Sequence, residues 1–256
     1  MILDTIHGII KRRILLNYRV RPEALSQILP LGFRPKQVDG WGIVGVCMIR
    51  FQHIRPKGIP KFLGMNSENA AHRIAVEWEQ DGEQKEGVFI PQRDTNSPIN
   101  KALGGRIFPG IFNRSQFVGH DEDDSFQLKI SNDDGSVKVD FMGSISQEIP
   151  SNSIFGNLEN ASNFFKAGAT GYSATHEKDR YHGMELFALD WVVEALHIEK
   201  AHSSLWGNLS LFPEGTSELD CALIMRNAKH EWRSRPDLYL SSDQISLTTR
   251  RAQTTA

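Results

Sequence analysis

The feature that most restricts what this chain can become is a succession of β-branched apolar runs, each closed by a turn signal. RRILLNYRV, GIVGVCMIRFQHI, HRIAVEWE, EGVFIPQ, SFQLKISN and SVKVDFMG follow one another over about the first 145 residues, with Asp81-Gly82 and Asp134-Gly135 among the breaks. Valine, isoleucine and aromatic side chains suit a pleated, half-buried surface, and Asp-Gly supplies the positive φ of a tight hairpin. Strands therefore dominate this part of the chain.

Helical patterns are few. RRILLNYRV ends near Val20, and the pattern Pro22, Glu23, Ala24, Leu25, Ile28 predicts a short helix stopping before Pro30. In SPINKALGG, Ser97 is placed to cap a helix, Pro98 to begin it and Gly104 or Gly105 to end it. NLENASNFFKAG predicts another, carrying Phe164 and Phe165. LFALDWVVEALHI and ELDCALIMR fit either period and are assigned as strands. No repeat, heptad or low-complexity linker divides the chain. The expectation is one β-rich α+β domain over residues 1–245, built on a large antiparallel sheet or barrel, with a loose tail at 246–256.

Composition narrows the function classes. Lysine plus arginine total 29 against 31 acidic residues, so no global field favours nucleic acid or an anionic membrane surface. The start, MILDTIHGIIKRR, places its apolar residues before its basic ones, the reverse of a secretory signal, and no apolar run approaches the ~20 residues of a membrane helix. Cys47 and Cys221, the only cysteines, lie in apolar runs and read as small buried hydrophobes, not as a disulfide framework. Together these features predict a cytoplasmic protein.

Motifs with a strong chemical signature are absent: no Walker loop, no GxGxxG after a strand, no HExxH, no GxSxG and no CxxC pair. The histidines are scattered, without the i, i+4 pairing of a metal-binding helix, and no metal or cofactor is expected. HDEDD at 120–124 lacks the glycine turn and distal glutamate of a calcium loop and reads as a solvated turn. Trp191 and Trp206 flank an apolar stretch and suit either a ligand pocket or the core.

Three stretches in order, NYRVRPEALSQILPLGF, NSENAAHRIAVEW and GGRIFPGIFNRSQF, resemble the acetoacetate decarboxylase-like superfamily. The closer resemblance is to its DUF2071, or YqjF-like, branch. It is carried by WGIVGVCMIRFQHIRPKGIP, GVFIPQRDTNSPINKALGGRIF and GATGYSATHEKDRYHGMELFALDW, over roughly residues 10–210. Tyr18 and Arg19 at a strand end, followed by a helix from Ala24 to Pro30, match the family pattern. The resemblance implies a closed or cone-shaped antiparallel sheet that holds a pocket, with helices around it, and an oligomer in many members.

It also implies a site. In the decarboxylase pattern a glutamate faces the pocket and a G-x-P-K loop supplies the lysine that forms a Schiff base with a keto acid. Here Gly105, Arg106 and Gly110 fit that loop, but Phe112 stands where proline would, Asn113 where the lysine would and Arg114 where its neighbouring lysine would. An asparagine amide forms no iminium, and a guanidinium stays protonated. Lys101, the nearest lysine upstream, lies on the predicted helix and is expected to face solvent.

What the resemblance leaves is a pocket for a small organic acid, keto or aromatic. Arg106, Arg114, Asn113 and a first-strand basic residue would bind the carboxylate, that residue being Arg12 with Lys11 and Arg13 as alternatives. Arg73, with His72 as its alternative, would join them, and Glu68 would act as acceptor or proton carrier. Two other functions stay open: a lyase, hydratase or isomerase with Glu68 as general acid or base, and a noncatalytic protein whose pocket is filled by Phe108, Phe112 or Trp78. Local readings compete for each residue. Arg106 could satisfy helix carbonyls, Asn113 could serve a turn, and Arg114 could be a surface charge.

Overall fold

A computed structural model describes residues 5–104 and 109–240. In chain order its elements are β1 (Thr5–Val20), α1 (Pro22–Ile28), β2 (Arg34–Pro35), β3 (Gln37–Val38), β4 (Trp41–Pro56), β5 (Met65–Gln80), β6 (Glu83–Thr95), α2 (Pro98–Leu103), β7 (Phe112–Arg114), β8 (Gln116–Asp121), β9 (Ser125–Ser131), β10 (Val137–Ser146), α3 (Leu158–Ala167), β11 (Thr170–Ala174), β12 (Arg180–Ala188), β13 (Glu194–Ser203) and β14 (Ser217–Tyr239). The expected helices form where their caps stand. Pro22 opens α1, the Ser97 side chain accepts from the Asn100 N–H at the start of α2, and Asn157 caps α3 in the same way. LFALDWVVEALHI resolves into the end of β12 and the start of β13, and ELDCALIMR lies inside β14. The predicted 246–256 tail lies outside the described residues.

The strands form one sheet whose core is a ring. β1 pairs β4, then β5, β6, β11, β12 and β14 follow, and β14 returns to β1 along an antiparallel ladder running from Thr5 opposite Arg233 to Val20 opposite Ser217. Neighbours in the ring are antiparallel except β6 and β11, which run parallel through Gly171–Ser173. The purely antiparallel sheet expected from the sequence thus has one parallel join in the ring, because the chain leaves β6 for the β7–β10 excursion and α3 before it re-enters as β11, and a second off it, where β7 runs parallel to the end of β6. β13, β10, β9 and β8 continue outward from β14 as an arm.

Strand alternation sorts side chains to the two faces of the ring. Outside, Ile14, Leu16 and Val20 of β1 and Val44, Val46 and Met48 of β4 pack with Phe126, Leu128 and Phe141 of the arm and with Trp206, which is fully buried. Inside, Leu15, Cys47, Ile49, Leu223 and Met225 gather with Phe155 and Phe165, the latter from α3. Gly45 belongs to the inner row that runs Cys221, Asn17, Gly45, Arg73 across β14, β1, β4 and β5. A Cβ there would stand 2.3 Å from the Leu16 carbonyl oxygen, so only glycine fits.

A buried polar cluster on the outer face pins β7 to the ring. The Asp94 carboxylate, with no exposed surface, accepts from Lys138, from the Ser115 hydroxyl at 2.9 Å and from Gln92 at 2.9 Å, and His72 stands 3.5 Å away. Burial by itself would raise this carboxyl, but the groups directed at it from His72, Lys138 and Gln92 outweigh burial and hold it down at about 2. A carboxyl depressed on folding stabilises the fold above its unfolded pKa, near ~4, and that contribution disappears as pH falls from there through about 2.

Lys138→Met strands a buried charge, and the variant should lose roughly 3 kcal/mol in urea denaturation at neutral pH. Its acid unfolding should begin at a higher pH than in the parent chain. The double variant Asp94→Asn/Lys138→Met should recover most of the loss; no recovery would show that the cost lies in packing and not in the unpaired carboxylate.

Candidate functional site

The ring encloses two adjoining chambers that share Cys47, Ile49, Ala71, Arg93 and Trp232. The first has about 80 Å³ open to the centres of water molecules and is lined from all seven ring strands, with Phe164 and Phe165 of α3 across one end. The second, about 60 Å³ by the same measure, is bounded by Ile6, Phe51, Ile54, Phe112, Pro109 and His230. At its polar end Asn100 donates to Asn69 at 3.2 Å and Asn69 to Ser67 at 2.8 Å.

Three guanidinium groups converge here. Arg13 enters from β1, Arg73 from β5 and Arg93 from β6, and among the described residues no acidic side chain lines either chamber. Each arginine is held by neutral or soft partners. Arg13 Nε donates to Cys47 Sγ at 3.2 Å, and its plane lies 5.4 Å from the Trp191 ring. Arg73 donates to Asn17 Oδ1 across side-chain-free Gly45 and stacks 4.6 Å over Phe165. Arg93 Nε donates to the Ser173 hydroxyl at 3.0 Å and lies over Phe112 and Trp232. Among the described residues, the buried Arg13 Nη1 and Arg73 Nε atoms have no hydrogen-bond partner.

Burial lowers Arg73 and Arg93 to about 10 each, and Arg13 lowers Arg73 further while Cys47 opposes the shift in both. Both remain cations at neutral pH. An aromatic face returns about 1 kcal/mol to a guanidinium, whereas burying an ion without a counter-ion costs several. The cavity therefore carries an uncompensated positive charge suited to a carboxylate.

His230 contributes a neutral polar group. Its ring stacks on Phe51 at 5.2 Å and faces the second chamber, and the Gly8 carbonyl lies beside it without hydrogen-bond geometry. Burial pushes its pKa down to about 3, with Arg13 and His7 adding to the effect.

The residues singled out from the sequence separate. Arg73 lines the first chamber. Arg12 and Glu68 lie on the other side of the sheet: Arg12 donates to Glu68 at 2.9 Å and also to Asp121, while Arg50 bonds Glu68 and, at 2.7 Å, Asp121. Two cations and two anions thus close a square that fastens β8 to β1, β4 and β5. Asp121, expected in a solvated turn, is part of that lock. Asn113 and Arg114 are exposed on β7, and their neighbour Phe112 is the one that reaches the second chamber. Arg106 and Phe108 lie outside the described residues. Trp78 packs edge-on to Phe33 and Tyr172 in the outer core, away from the cavity. His72, the alternative to Arg73, belongs to the Asp94 cluster.

Arg13, the alternative to Arg12, is the first-strand cation in the cavity because successive side chains on β1 point to opposite faces. Arg93, Asn17, Cys47, His230 and Trp232 were not anticipated from the sequence. An arginine near the end of the strand EGVFIPQRDT, following its apolar run, was the available signal for Arg93.

The GGRIFPGIFNRSQF loop supplies part of the cavity wall. Gly110 has φ +80° and a Cβ there would lie 2.6 Å from the Ser173 side chain, so glycine lets the loop rest on the Arg93–Ser173 pair. Lys36 is the lysine that lines the first chamber; its ammonium pairs with Glu86 at 2.6 Å and lies 4.8 Å over Phe164. Lys101 is exposed on α2. Among the described residues no group of three or more histidine, cysteine, aspartate or glutamate side chains is arranged to hold a metal, and no helix is long and apolar enough to cross a membrane.

The fold is that of several solved proteins. An acetoacetate decarboxylase from Legionella pneumophila matches with a TM-score of 0.61 at 12% identity, over 92% of this chain and 88% of its own. An acetoacetate decarboxylase-like enzyme from Sphingomonas wittichii matches at 0.60 and 12%, over 94% of each chain. The enduracididine biosynthesis enzyme MppR, in complex with pyruvate, matches at 0.60 and 10%, over 94% and 91%. No curated protein matches the sequence. The model of DUF2071, described as an uncharacterized conserved protein, matches residues 10–198. With that match over most of its length, the chain belongs to the DUF2071 family, and its fold is that of acetoacetate decarboxylase-like proteins.

Proposed function

We propose that the chain binds a small organic acid, a keto or an aromatic acid, inside the ring and without a Schiff-base lysine. The observation that carries this reading is the set of three guanidinium groups, Arg73 and Arg93 buried and Arg13 half-buried, with no carboxylate partner among the described residues. A carboxylate seated among them would satisfy the free donors of Arg13 and Arg73 and offset the charge that burial leaves exposed to a low dielectric. The apolar walls of the second chamber, Ile6, Phe51, Ile54 and Phe112, would take the body of the acid. Pyruvate in the related MppR structure supports a small acid as ligand class. Glu68, with both oxygens engaged by arginines away from the cavity, has no part in this reading.

Isothermal titration with pyruvate, phenylpyruvate and benzoate, each against its neutral amide, tests the proposal. At least one acid should bind and its amide should not. Arg73→Met and Arg93→Met should each weaken that acid about 30-fold or more, the cost of truncating one partner of a buried charge pair. Either variant should keep or slightly raise its melting temperature, because an apolar side chain replaces an unpaired buried charge. A variant that unfolds instead would mark the arginine as structural.

Borohydride reduction with a panel of keto acids should leave the intact mass unchanged under conditions that trap a lysine-dependent control enzyme. An adduct mapped to Lys36 would restore amine catalysis and overturn the noncovalent reading.

A further inference from the structure

Cys47 stands at the junction of the two chambers and lines both. Its sulfur accepts from Arg13 Nε at 3.2 Å, and it occupies one inner row with Ala71 and Arg93 across β4, β5 and β6. Cys221, the other free cysteine, is an internal contrast: it is buried beside Asn17 and Asp220, lines neither chamber, and burial drives its thiol far above the usual range. Two unpartnered buried groups, Arg73 Nε and the His230 ring, line the same pair of chambers as Cys47 and point to a ligand there.

We propose that Cys47 is the reactive group of this cavity, a thiol that bonds to an electrophilic carbon of a carboxylate-bearing ligand seated on Arg13, Arg73 and Arg93. The proposal rests on the acid-binding reading above and adds chemistry to it. A carboxylate on the arginines brings the carbons one or two bonds away towards the junction where Sγ lies, which is the positional advantage an enzyme nucleophile requires. With an α,β-unsaturated acid, Sγ bonds to the β-carbon, the π pair moves to the α-carbon and that carbon takes up the thiol proton, so nothing leaves. The transient negative charge spreads onto the carboxylate, where guanidinium donors are already placed to stabilise it. With a 2-halo acid, the C–S bond forms as the carbon–halogen bond breaks, halide departs and the thiol proton goes to solvent. Neither course needs an added oxidant or reductant.

Iodoacetate and iodoacetamide present the same electrophilic carbon with and without a carboxylate. The full chain is treated with each at matched concentration, and the rate of modification at each cysteine is followed by intact mass and peptide mapping. Cys47 should react at least tenfold faster with iodoacetate than with iodoacetamide, Cys221 should stay unmodified, and Cys47→Ala should abolish the fast phase. Arg73→Met should slow the iodoacetate reaction about tenfold or more and the iodoacetamide reaction by clearly less, so that the preference of Cys47 for iodoacetate falls. A Cys47 as inert as Cys221 to both reagents would overturn the proposal, as would an iodoacetamide rate equal to or above that of iodoacetate. Calorimetric binding of pyruvate, phenylpyruvate or benzoate does not involve the thiol. An acid that binds while Cys47 stays inert therefore sinks only the nucleophile, whereas no binding by any acid sinks the underlying reading.

Discussion

The structure depends on β1 being paired along both edges, to β4 on one side and to β14 on the other, over nearly its full length. That double pairing closes the ring, so β1 offers no free edge to other chains. From Ile14 to Tyr18 β1 is also covered on both faces, one against the arm and one against the interior, so there neither can be polar merely because it meets water. The outer face has a large complementary surface and fills with Trp206, Phe141 and aliphatic side chains. The inner face has only its own circumference and α3 to fill it, and the chambers are the space left over.

Adjacent residues on β1 show two settlements of the same electrostatic problem. Arg12, 2% exposed, is neutralised by Glu68 and Asp121, with Arg50 completing the square. Arg13 faces a thiol and an indole. The square carries zero net charge, and its cost of desolvation is offset within the protein. The inner group carries an excess of positive charge that nothing among the described residues offsets. Proteins seldom retain such an excess for stability, which is why the proposed acid site is assigned to the inner arginines and not to the outer ones.

Much of the fold was legible from local chemistry. Strand runs, the Ser97-Pro98 helix start and the stop before Pro30 follow from period and capping, which act over a few residues. The site was less legible because it depends on parity and closure. The sequence IIKRRILL has no apolar–polar alternation, since Ile10 and Leu15 belong to the inner cluster and Ile14 and Leu16 to the outer one, so it gives no local reason to choose Arg13 over Arg12. Arg73 was reached through the family pattern. Arg93 and His230 enter the cavity only because β6 and β14 are parts of a closed ring, a long-range fact without a short sequence signature. Cys47 was read as a buried hydrophobe, and it is buried; what the apolar run GIVGVCMIRF could not show is that the space beside it is cationic.

The GGRIFPGIFNRSQF loop ties the two faces together. Arg93 points inward and Asp94, its neighbour on β6, points outward. Asp94 grips Ser115 while Gly110 rests on the Arg93–Ser173 pair, so the segment carrying Pro109 and Phe112 is held from both sides of the sheet. The cavity wall is thus set by an ion cluster the ligand need not touch. The Asn113 residue that the sequence resemblance aligns with the decarboxylase lysine pairs through its backbone with Asp94, but it is exposed and its side chain takes no part in the Asp94–Ser115 and Gly110 contacts, so the side chain there can vary while the loop keeps its place. An amine there would need desolvation to act as a nucleophile. The guanidinium groups at the ring's centre need none of that to bind a carboxylate, since they remain charged even when buried.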